Sequence, residues 1–390
     1  MNREIPLDFV LPKALQTLET PCLLLDEVRM ERNIKRLRDH LDSLGVGLRP
    51  HLKTPKSIEV AQRILNGGRQ CAAVSTLKEA ELFFEAGVRD ILYCVGVTPG
   101  KLDRVAGLRR SGANLSVIVD SVDAARAVAA KSREARAPIP TLIEIDSDGH
   151  RAGVSVEHTE ALIAIGRELH DGGAQLRGVL THAGESYNCK SVDAIAAMAE
   201  RERAAAVAGA QALRAAGLPS PVVSVGSTPT ALYARDLTGV TEVRAGVFVF
   251  FDLVMAGLGV CSTDDVALSV LATVIGHQRD KGWILVDAGW MAMSRDRGTA
   301  KQRVDQGYGV ACDINGRVYP DLIMFEANQE QGILALRPGS TATLPDLQIG
   351  AQVRLLPNHA CATGAQHDTY EVVRPDSPAV VARWQRFSGW

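Results

Sequence analysis

From about residue 46, short apolar runs alternate with helix-forming segments, and this alternation limits the possible folds more than any other feature. Eight runs are typical of strands: VGLRPHL, CAAVS, ILYCV, LSVIVD, TLIEID, LRGVLTH, VVSVGS and EVRAGVFVF. The segments between them, such as SVDAARAVAAKSREA, are rich in alanine and other strong helix formers. Strands that alternate with helices form parallel βα units, and eight such units close a barrel. The runner-up is an open doubly wound sheet, although no Gly-rich dinucleotide fingerprint follows the first strand.

The pattern changes after about residue 255, where strand-like segments follow one another with turns and little helix between them. These segments are ALSVLATVIGHQ, GWILVDAGW, GYGVACD and AQVRLLPN. Near the N-terminus, PCLLLD (21–26) is typical of one more strand. We therefore predict an α/β fold with a barrel over residues 26–255. A β-rich domain is predicted over residues 256–390, together with the N-terminal segment 1–25.

Composition excludes several classes of partner. The net charge of −2 gives no reason to expect nucleic acid or an anionic membrane surface. A membrane helix needs roughly 18 or more apolar residues in succession, and no run approaches that length. The segment MNREIPLDFVLP carries acidic residues and prolines where a signal peptide is apolar. The seven cysteines are scattered and form no CxxC pair, which indicates reduced thiols and a cytoplasmic protein.

Three basic residues alternate in the first barrel strand, LRPHLKTPKS (48–57). Side chains alternate across a strand, so Arg49, His51 and Lys53 share one face, which points inward in a barrel. Active sites of such barrels lie at the C-terminal ends of the strands, where Lys53 stands. Lys53 is either a solvated lysine after a strand or an amine whose pKa is lowered by neighbouring cations. Such an amine can attack a carbonyl and form a Schiff base.

The ends of other predicted strands carry polar groups, each of which could bind a ligand or have a structural role. The turn VGSTPT offers backbone N–H groups of Gly226 and the hydroxyls of Ser227 and Thr228, which could hold a phosphate or belong to an ordinary loop. The segment RAGV could add N–H groups of Gly246 and Val247. The remaining candidates could contact a phenolate, phosphate, ring nitrogen or ring face, or could be structural ion pairs and satisfied core residues: Arg151, Arg244, His182 and Tyr187.

A further pair stands in LLPNHACATG (355–364), where His359 and Cys361 are two residues apart. If the segment is extended, both side chains face the same way, and an imidazole beside a thiolate suits zinc or another divalent transition metal. Two protein ligands leave positions for water or substrate, as a catalytic metal needs. The alternative is a buried cysteine beside an unrelated histidine. His367 and Asp368 are close enough in sequence to support the metal ligands.

Taken together, these segments resemble the fold-type III pyridoxal-phosphate enzymes of the D-serine dehydratase and D-threonine aldolase family. The resemblance spans about residues 20–375 and rests on segments in the same order: TPCLLLD, RPHLKTPK, STLKEAELFFEAGVRDILY, DSDGHRAGV, VGSTPTA, EVRAGVFVFFD, VDAGWMAMSRDRG and LPNHACAT. Within the family, the chain resembles the branch of the bacterial D-threo-3-hydroxyaspartate dehydratases. The resemblance implies an alanine-racemase-like (β/α)8 barrel with a C-terminal β-rich domain, working as a homodimer.

The resemblance also implies a cofactor site and a metal site. Lys53 would bind pyridoxal 5'-phosphate as a Schiff base, and the turns at Gly226, Ser227, Thr228, Gly246 and Val247 would hold its phosphate. Arg151 would lie near the phenolic oxygen, His182 and Tyr187 would flank the ring, and His51 and Arg244 would complete the cofactor-binding set. His359 and Cys361 would bind a divalent metal, which is Zn, Mn, Co or Mg.

The expected activity is a lyase that converts a D-3-hydroxy amino acid, D-threo-3-hydroxyaspartate or D-serine, to a 2-oxo acid and ammonia. Two departures from the family pattern matter. Pro55 stands where many relatives have histidine, and Cys361 stands where aldolases often have aspartate, which favours a dehydratase. The alternatives are an aldolase that yields glycine and an aldehyde, and a non-catalytic pyridoxal-phosphate protein. Non-catalytic pyridoxal-phosphate proteins are shorter and lack the β-rich domain. A third alternative is a racemase, which would need a second base opposite Lys53.

Overall fold

The structure, a computed structural model, describes residues 14–149, 152–375, 377 and 379–390. Backbone contacts divide the chain into two units. The barrel unit contains Asn33–Val249, Leu258–Val260 and Phe387–Trp390. The sheet unit contains the described residues up to Arg32, together with Phe250–Gly257 and Cys261–Arg386. No helix among the described residues is both long enough and apolar enough to span a membrane.

The described residues form eighteen strands and eleven α-helices. The strands are β1 (Cys22–Asp26), β2 (Gly47–Pro50), β3 (Cys71–Val74), β4 (Asp90–Gly96), β5 (Asn114–Val119), β6 (Pro140–Asp146), β7 (Val154–Ser155), β8 (Gln175–Thr181), β9 (Val222–Val225), β10 (Glu242–Ala245), β11 (Leu268–Gln278), β12 (Trp283–Val286), β13 (Gly309–Cys312), β14 (Val318–Ala327), β15 (Gly332–Leu336), β16 (Gln352–Pro357), β17 (Thr369–Val373) and β18 (Ala382–Gln385). The helices are α1 (Glu27–Ser43), α2 (Ile58–Leu65), α3 (Leu77–Glu85), α4 (Leu102–Arg110), α5 (Val122–Glu134), α6 (Thr159–Asp171), α7 (Val192–Ala215), α8 (Thr228–Tyr233), α9 (Leu253–Gly257), α10 (Trp290–Met293) and α11 (Ala360–Gly364).

Eight parallel strands make the barrel, in the order β2-β10-β9-β8-β6-β5-β4-β3. A parallel bridge between His51 and Ala73 joins the end of β2 to β3, so the sheet comes back to its first strand. These strands coincide with the eight apolar runs of the sequence, and the predicted (β/α)8 fold is confirmed. The two-residue strand β7, which pairs with β6, has no counterpart among the predicted strands.

Helix starts in the barrel follow local side-chain chemistry. Thr76, Ser121 and Ser191 stand before α3, α5 and α7, and each side chain accepts a hydrogen bond from the backbone N–H three residues later. Such caps satisfy N–H groups that the first helical turn leaves without an internal partner. Each of these helices then buries a stripe of apolar residues spaced three or four apart.

Leucine and isoleucine side chains from four neighbouring strands form a core within the barrel unit. Leu92, Ile118, Leu142 and Leu180 come from β4, β5, β6 and β8 and pack together. All four are buried, and burial of one such side chain contributes roughly 1.5–3 kcal/mol. This packing leaves the strand ends and the turns after them to carry polar groups.

The sheet unit is a nine-stranded sheet in the order β12-β15-β14-β13-β16-β11-β1-β17-β18, with a further pairing between β11 and β12. It is largely antiparallel, and β1 lies antiparallel to β11 and parallel to β17. Leu24 of β1 packs with Leu271 and Val373 from those two neighbours, so the strand from the N-terminal end contributes to the core of this unit. The prediction that the chain is rich in β-strands after residue 255 is confirmed.

Candidate active site

Lys53 lies in the turn that follows β2, and its side chain is exposed. The turn itself is held by the backbone: the N–H of Leu52 donates to the carbonyl of Ala73 at 2.9 Å, and the N–H of Lys56 donates to the carbonyl of Leu52 at 3.1 Å. Thr54 and Pro55 are buried between them. An ordered turn therefore presents the amine, as the predicted role requires. No carboxylate pairs with this amine among the residues that the structure describes.

Arg49, the third residue of β2, is buried and forms ion pairs. Its Nε donates to both carboxylate oxygens of Glu242 at 2.9 Å, and its Nη2 donates to Asp90 at 3.0 Å. Burial disfavours the guanidinium charge, but Glu242 and Asp90 outweigh it and raise the pKa of Arg49. Two carboxylates compensate the charge, so Arg49 is a structural group and does not act as a bare cation beside Lys53.

Arg244 extends the same polar network. It is buried, and its Nη1 donates to the Ser224 hydroxyl at 2.8 Å while its Nη2 donates to the carbonyl of Thr181 at 2.5 Å. The Ser224 hydroxyl in turn donates to Glu242 at 2.8 Å. The guanidinium thus ties β10 to β8 and β9, and these contacts match the structural reading of this residue more directly than the cofactor-binding one.

The turn after β9 is built from small residues for a steric reason. Gly226 has a φ of 139°, and a Cβ there would lie 1.9 Å from the carbonyl oxygen of Arg244. Ser227 caps α8 through a reciprocal pair with Thr230: the Thr230 N–H donates to the Ser227 hydroxyl, and the Ser227 N–H donates to the Thr230 hydroxyl. The Ser227 hydroxyl also lies 2.8 Å from that of Ser186. Backbone and hydroxyl groups are therefore ordered at the end of β9.

A second close approach involves Gly246, directly after β10. A Cβ at Gly246 would lie 2.9 Å from the Thr54 hydroxyl and 3.1 Å from the carbonyl of His51. The Phe248 N–H, next to Val247, donates to the Thr228 hydroxyl at 3.2 Å. The two glycines thus bring the ends of β9 and β10 and the turn carrying Lys53 against one another. Small residues with hydroxyl and N–H donors suit a phosphate group, so these residues fit the phosphate end of the cofactor.

His182 and Tyr187 follow β8. The Nδ1 of His182 lies 2.8 Å from the carbonyl oxygen of Gly226, and the two aromatic rings are 6.4 Å apart at an angle of 44°. His182 is thereby placed beside the glycine turn after β9. The Nε2 of His51 lies 3.5 Å from the Ser75 hydroxyl. Arg151, predicted to contact the phenolic oxygen, lies outside the described residues.

Glu202 of α7 is a site residue that sequence reasoning missed. Its Oε1 accepts hydrogen bonds from the N–H groups of Ala183 at 3.0 Å and Gly226 at 2.9 Å. Glu202 therefore holds the turn that carries His182 next to the turn that carries Gly226. Burial raises the pKa of its carboxyl group, against the lowering effect of these hydrogen bonds. One glutamate within an alanine-rich helix gives no local signal of this role.

In the sheet unit, His359 follows β16 and Cys361 lies at the start of α11. His359 has an extended backbone, whereas Cys361 lies in the first turn of α11, so the expectation of an extended segment is wrong. The two side chains nevertheless meet through a hydrogen bond. Burial opposes protonation of His359, but hydrogen bonds to Asp296 and Cys361 outweigh it and raise the pKa of the imidazole to about 11.

Asp296 is the second residue that sequence reasoning missed. Its Oδ2 lies 2.6 Å from Nδ1 of His359. His367, expected to support the metal ligands, instead places its Nε2 3.0 Å from the carbonyl of Ala292. Among the described residues, no group of three or more His, Cys, Asp or Glu side chains is arranged to hold a metal ion. An imidazole and a thiol in contact are still a donor set that suits zinc or a similar cation, with water filling the other positions.

Comparison with known proteins agrees with this geometry. The family model of the alanine racemase N-terminal domain matches residues 25–254, and that of the serine dehydratase domain matches residues 267–373. The chain is 57% identical to D-threo-3-hydroxyaspartate dehydratase of Delftia sp. (strain HT23), over 96% of this chain and 99% of that protein. It is 29% identical to D-serine dehydratase of Dictyostelium discoideum, over 94% and 96% of the two chains.

Solved structures extend the likeness to three dimensions. The structure of the Delftia enzyme superposes with a TM-score of 0.93, covering 97% of this chain and 100% of that one. A cysteine-to-alanine mutant of a D-threo-3-hydroxyaspartate dehydratase, in a metal-free form, is 57% identical and has the same TM-score and coverage. The predicted resemblance is confirmed, and the chain belongs to the family of D-threo-3-hydroxyaspartate and D-serine dehydratases, whose N-terminal domain is of the alanine racemase type.

Proposed function

We propose that the chain is a lyase that uses pyridoxal 5'-phosphate and a divalent metal to convert a D-3-hydroxy amino acid to a 2-oxo acid and ammonia. The substrate is D-threo-3-hydroxyaspartate or D-serine. The observation that carries the proposal is the exposed Lys53 amine on an ordered turn beside Gly246, in a chain 57% identical to a D-threo-3-hydroxyaspartate dehydratase over nearly its full length.

Pyridoxal phosphate, when bound, supplies an electron sink for the charge left when the α-proton departs. Lys53 Nζ would hold the cofactor covalently and, once released from it, would take the α-proton as general base. The turns at Gly226 and Gly246, with the Ser227 and Thr228 hydroxyls and the backbone at Val247, would hold the phosphate. His182 and Tyr187 would flank the ring, Arg151 would neutralise the phenolic oxygen, and His51 and Arg244 would lie in the surrounding shell.

A divalent cation, when bound, supplies Lewis acidity that makes hydroxide a better leaving group. His359 and Cys361 are the residues proposed to hold it, as Zn, Mn, Co or Mg. A hydrogen bond between the imidazole and the thiol supports this assignment, since it brings two metal-ligating side chains together. The protein contributes the donors and their orientation.

The first experiment replaces Lys53. We expect Lys53→Ala to lose the visible absorbance band of the bound cofactor, and borohydride reduction of the wild type to trap the cofactor on the peptide containing Lys53. Lys56→Ala is the matched control, because Lys56 lies on the same turn but pairs with Glu79 at 3.2 Å. It should keep the band. A band that persists in Lys53→Ala, or a trapped lysine elsewhere, overturns the assignment.

The second experiment identifies the reaction. Purified protein is incubated with D-threo-3-hydroxyaspartate, D-serine and D-threonine, and the products are separated. Ammonia with a 2-oxo acid in equal amounts supports the dehydratase. Glycine with an aldehyde identifies an aldolase instead. Cofactor binding without either product identifies a non-catalytic pyridoxal-phosphate protein.

We further propose a homodimer in the cytoplasm. All seven cysteines are free thiols in the structure, which supports a reducing compartment. Light scattering after size exclusion tests the oligomer: twice the chain mass supports the dimer, and a single chain mass contradicts it. Fractionation of cells tests the compartment.

A further inference from the structure

Asp296 contacts His359, one of the two residues proposed to bind the metal. It lies in the segment between β12 and β13, 63 positions before His359 in the chain. Its Oδ2 is 2.6 Å from Nδ1 of His359. An imidazole has two ring nitrogens, and a carboxylate can only accept a hydrogen bond from a protonated one. Asp296 therefore keeps the proton on Nδ1.

Asp296 is itself held in place. Its Oδ1 accepts a hydrogen bond from the N–H of Gly298 at 2.8 Å, and its N–H donates to the Ser294 hydroxyl at 3.1 Å. These contacts restrict the carboxylate to one orientation, with Oδ2 toward His359. A carboxylate on a mobile surface loop would lack them. Asp296 is therefore held in the orientation that its contact with His359 requires.

The two segments are also tied through the residue before His359. Asn358 is buried, and its Nδ2 donates to the carbonyl of Asp296 at 3.1 Å and to that of Gly307 at 2.7 Å. Its Oδ1 accepts from the Thr299 hydroxyl at 3.0 Å. Asn358 thereby fixes the distance between the backbone of Asp296 and the backbone of His359, and the side-chain contact follows from it.

We propose that Asp296 is a positioning residue that holds the proton on Nδ1 of His359 and so presents Nε2 to a divalent cation. A ligating imidazole must offer a lone pair on one nitrogen, and a carboxylate on the other nitrogen fixes both the tautomer and the ring orientation. The inference rests on the proposed metal site at His359 and Cys361 and adds a residue to it. Loss of such a partner weakens metal binding by roughly 10–100-fold.

The test measures Mn²⁺ affinity in protein that contains pyridoxal phosphate and has been stripped of metal with a chelator. Free Mn²⁺ is quantified by its electron paramagnetic resonance signal during titration. We expect Asp296→Asn to raise the dissociation constant roughly 10–100-fold, since its amide N–H can donate to Nδ1 and favours the wrong tautomer. Asp305→Asn is the matched control: Asp305 pairs with Arg297 at 2.8 Å in the same segment, and its replacement should leave Mn²⁺ affinity unchanged.

The variant His359→Ala tests the proposed metal site separately from the proposed role of Asp296. If His359→Ala binds Mn²⁺ as tightly as the wild type, the proposed metal site is wrong. If His359→Ala loses Mn²⁺ while Asp296→Asn keeps wild-type affinity, the metal site stands and the role of Asp296 is overturned. The cofactor absorbance band and the melting temperature of Asp296→Asn should match those of the wild type, which excludes general unfolding.

A second measurement needs no Asp296 variant. In ¹⁵N-histidine-labelled protein loaded with Zn²⁺, the signals of His359 are assigned by their loss in His359→Ala. The proposal expects a protonated Nδ1 and a metal-bound Nε2. A metal-bound Nδ1 contradicts it.

Discussion

The buried ion pair between Arg49 and Glu242 should contribute far more to stability than a surface pair of the same chemistry. The two side chains are 8% and 3% exposed, and Arg49 Nε lies 2.9 Å from both oxygens of Glu242. Removing one partner of a buried pair costs about 3–5 kcal/mol, because the remaining charge is left without compensation. Asp90 stays within 3.0 Å of Arg49, so we place Glu242→Gln at the lower end, about 3 kcal/mol.

Glu81→Gln is the matched control. Glu81 accepts two hydrogen bonds of 2.9 Å from Arg104, but these side chains are 29% and 43% exposed. Exposed pairs contribute about 0–1 kcal/mol. Both substitutions keep the shape of the side chain and remove one charge, so burial is the difference between them.

Thermal unfolding by calorimetry, at saturating pyridoxal phosphate, measures both variants. A change of 1 kcal/mol lowers the melting temperature of a unit of this size by roughly 2–4 °C. Glu242→Gln should therefore melt roughly 6–12 °C below the wild type, and Glu81→Gln close to it. The reasoning is refuted if Glu242→Gln melts no lower than Glu81→Gln. The double variant Arg49→Met with Glu242→Leu should recover part of the loss, because the buried Arg49 charge is then removed together with its partner.

Two further substitutions probe the turns of the barrel. Gly226→Ala should lower pyridoxal-phosphate affinity in an absorbance titration, because its Cβ would lie 1.9 Å from a backbone oxygen and the φ of 139° is unfavourable for alanine; wild-type affinity would contradict the steric argument. Glu202→Gln should flatten the pH dependence of the melting temperature. Since burial raises the pKa of Glu202, its stabilising neutral form is lost as the pH rises from the ordinary glutamate range through the raised pKa, and glutamine has no proton to lose. Identical pH profiles would contradict this.

The barrel could be predicted from the sequence because its strands are apolar runs of four to seven residues between helical segments, two of which are rich in alanine. This pattern is local, and each run needs only its own residues to be recognised. Partners across the barrel have no such signal. Glu242 and Arg49 are 193 positions apart, and only the closed sheet brings them together. The alternation of Arg49, His51 and Lys53 therefore predicted a shared face but not the ion pair that one of them forms.

The residues that support the site were missed for the same reason. Asp296 reaches His359 from a segment between two strands, and Glu202 reaches Ala183 and Gly226 from a long helix. Neither lies in a pattern that distinguishes it from a solvated carboxylate. The extended backbone expected at Cys361 failed because α11 has five residues, too few for helical periodicity to appear. Residues that contact a ligand can be recognised in the sequence by their residue type. Residues that orient those ligand contacts depend on tertiary contacts, which leave no local pattern in the sequence.

Arg49 in β2 and Lys53 in the turn after β2 have different roles, the first in stability and the second in chemistry. Arg49 is buried between Glu242 and Asp90, so its charge serves the stability of the fold. Lys53, four positions later, is exposed, and no carboxylate pairs with it among residues 14–149, 152–375, 377 and 379–390. Its truncation should therefore cost little stability, since no desolvated charge or packed side chain is lost. A lysine that the fold does not use, on a turn that the fold keeps ordered, is suited to a covalent role.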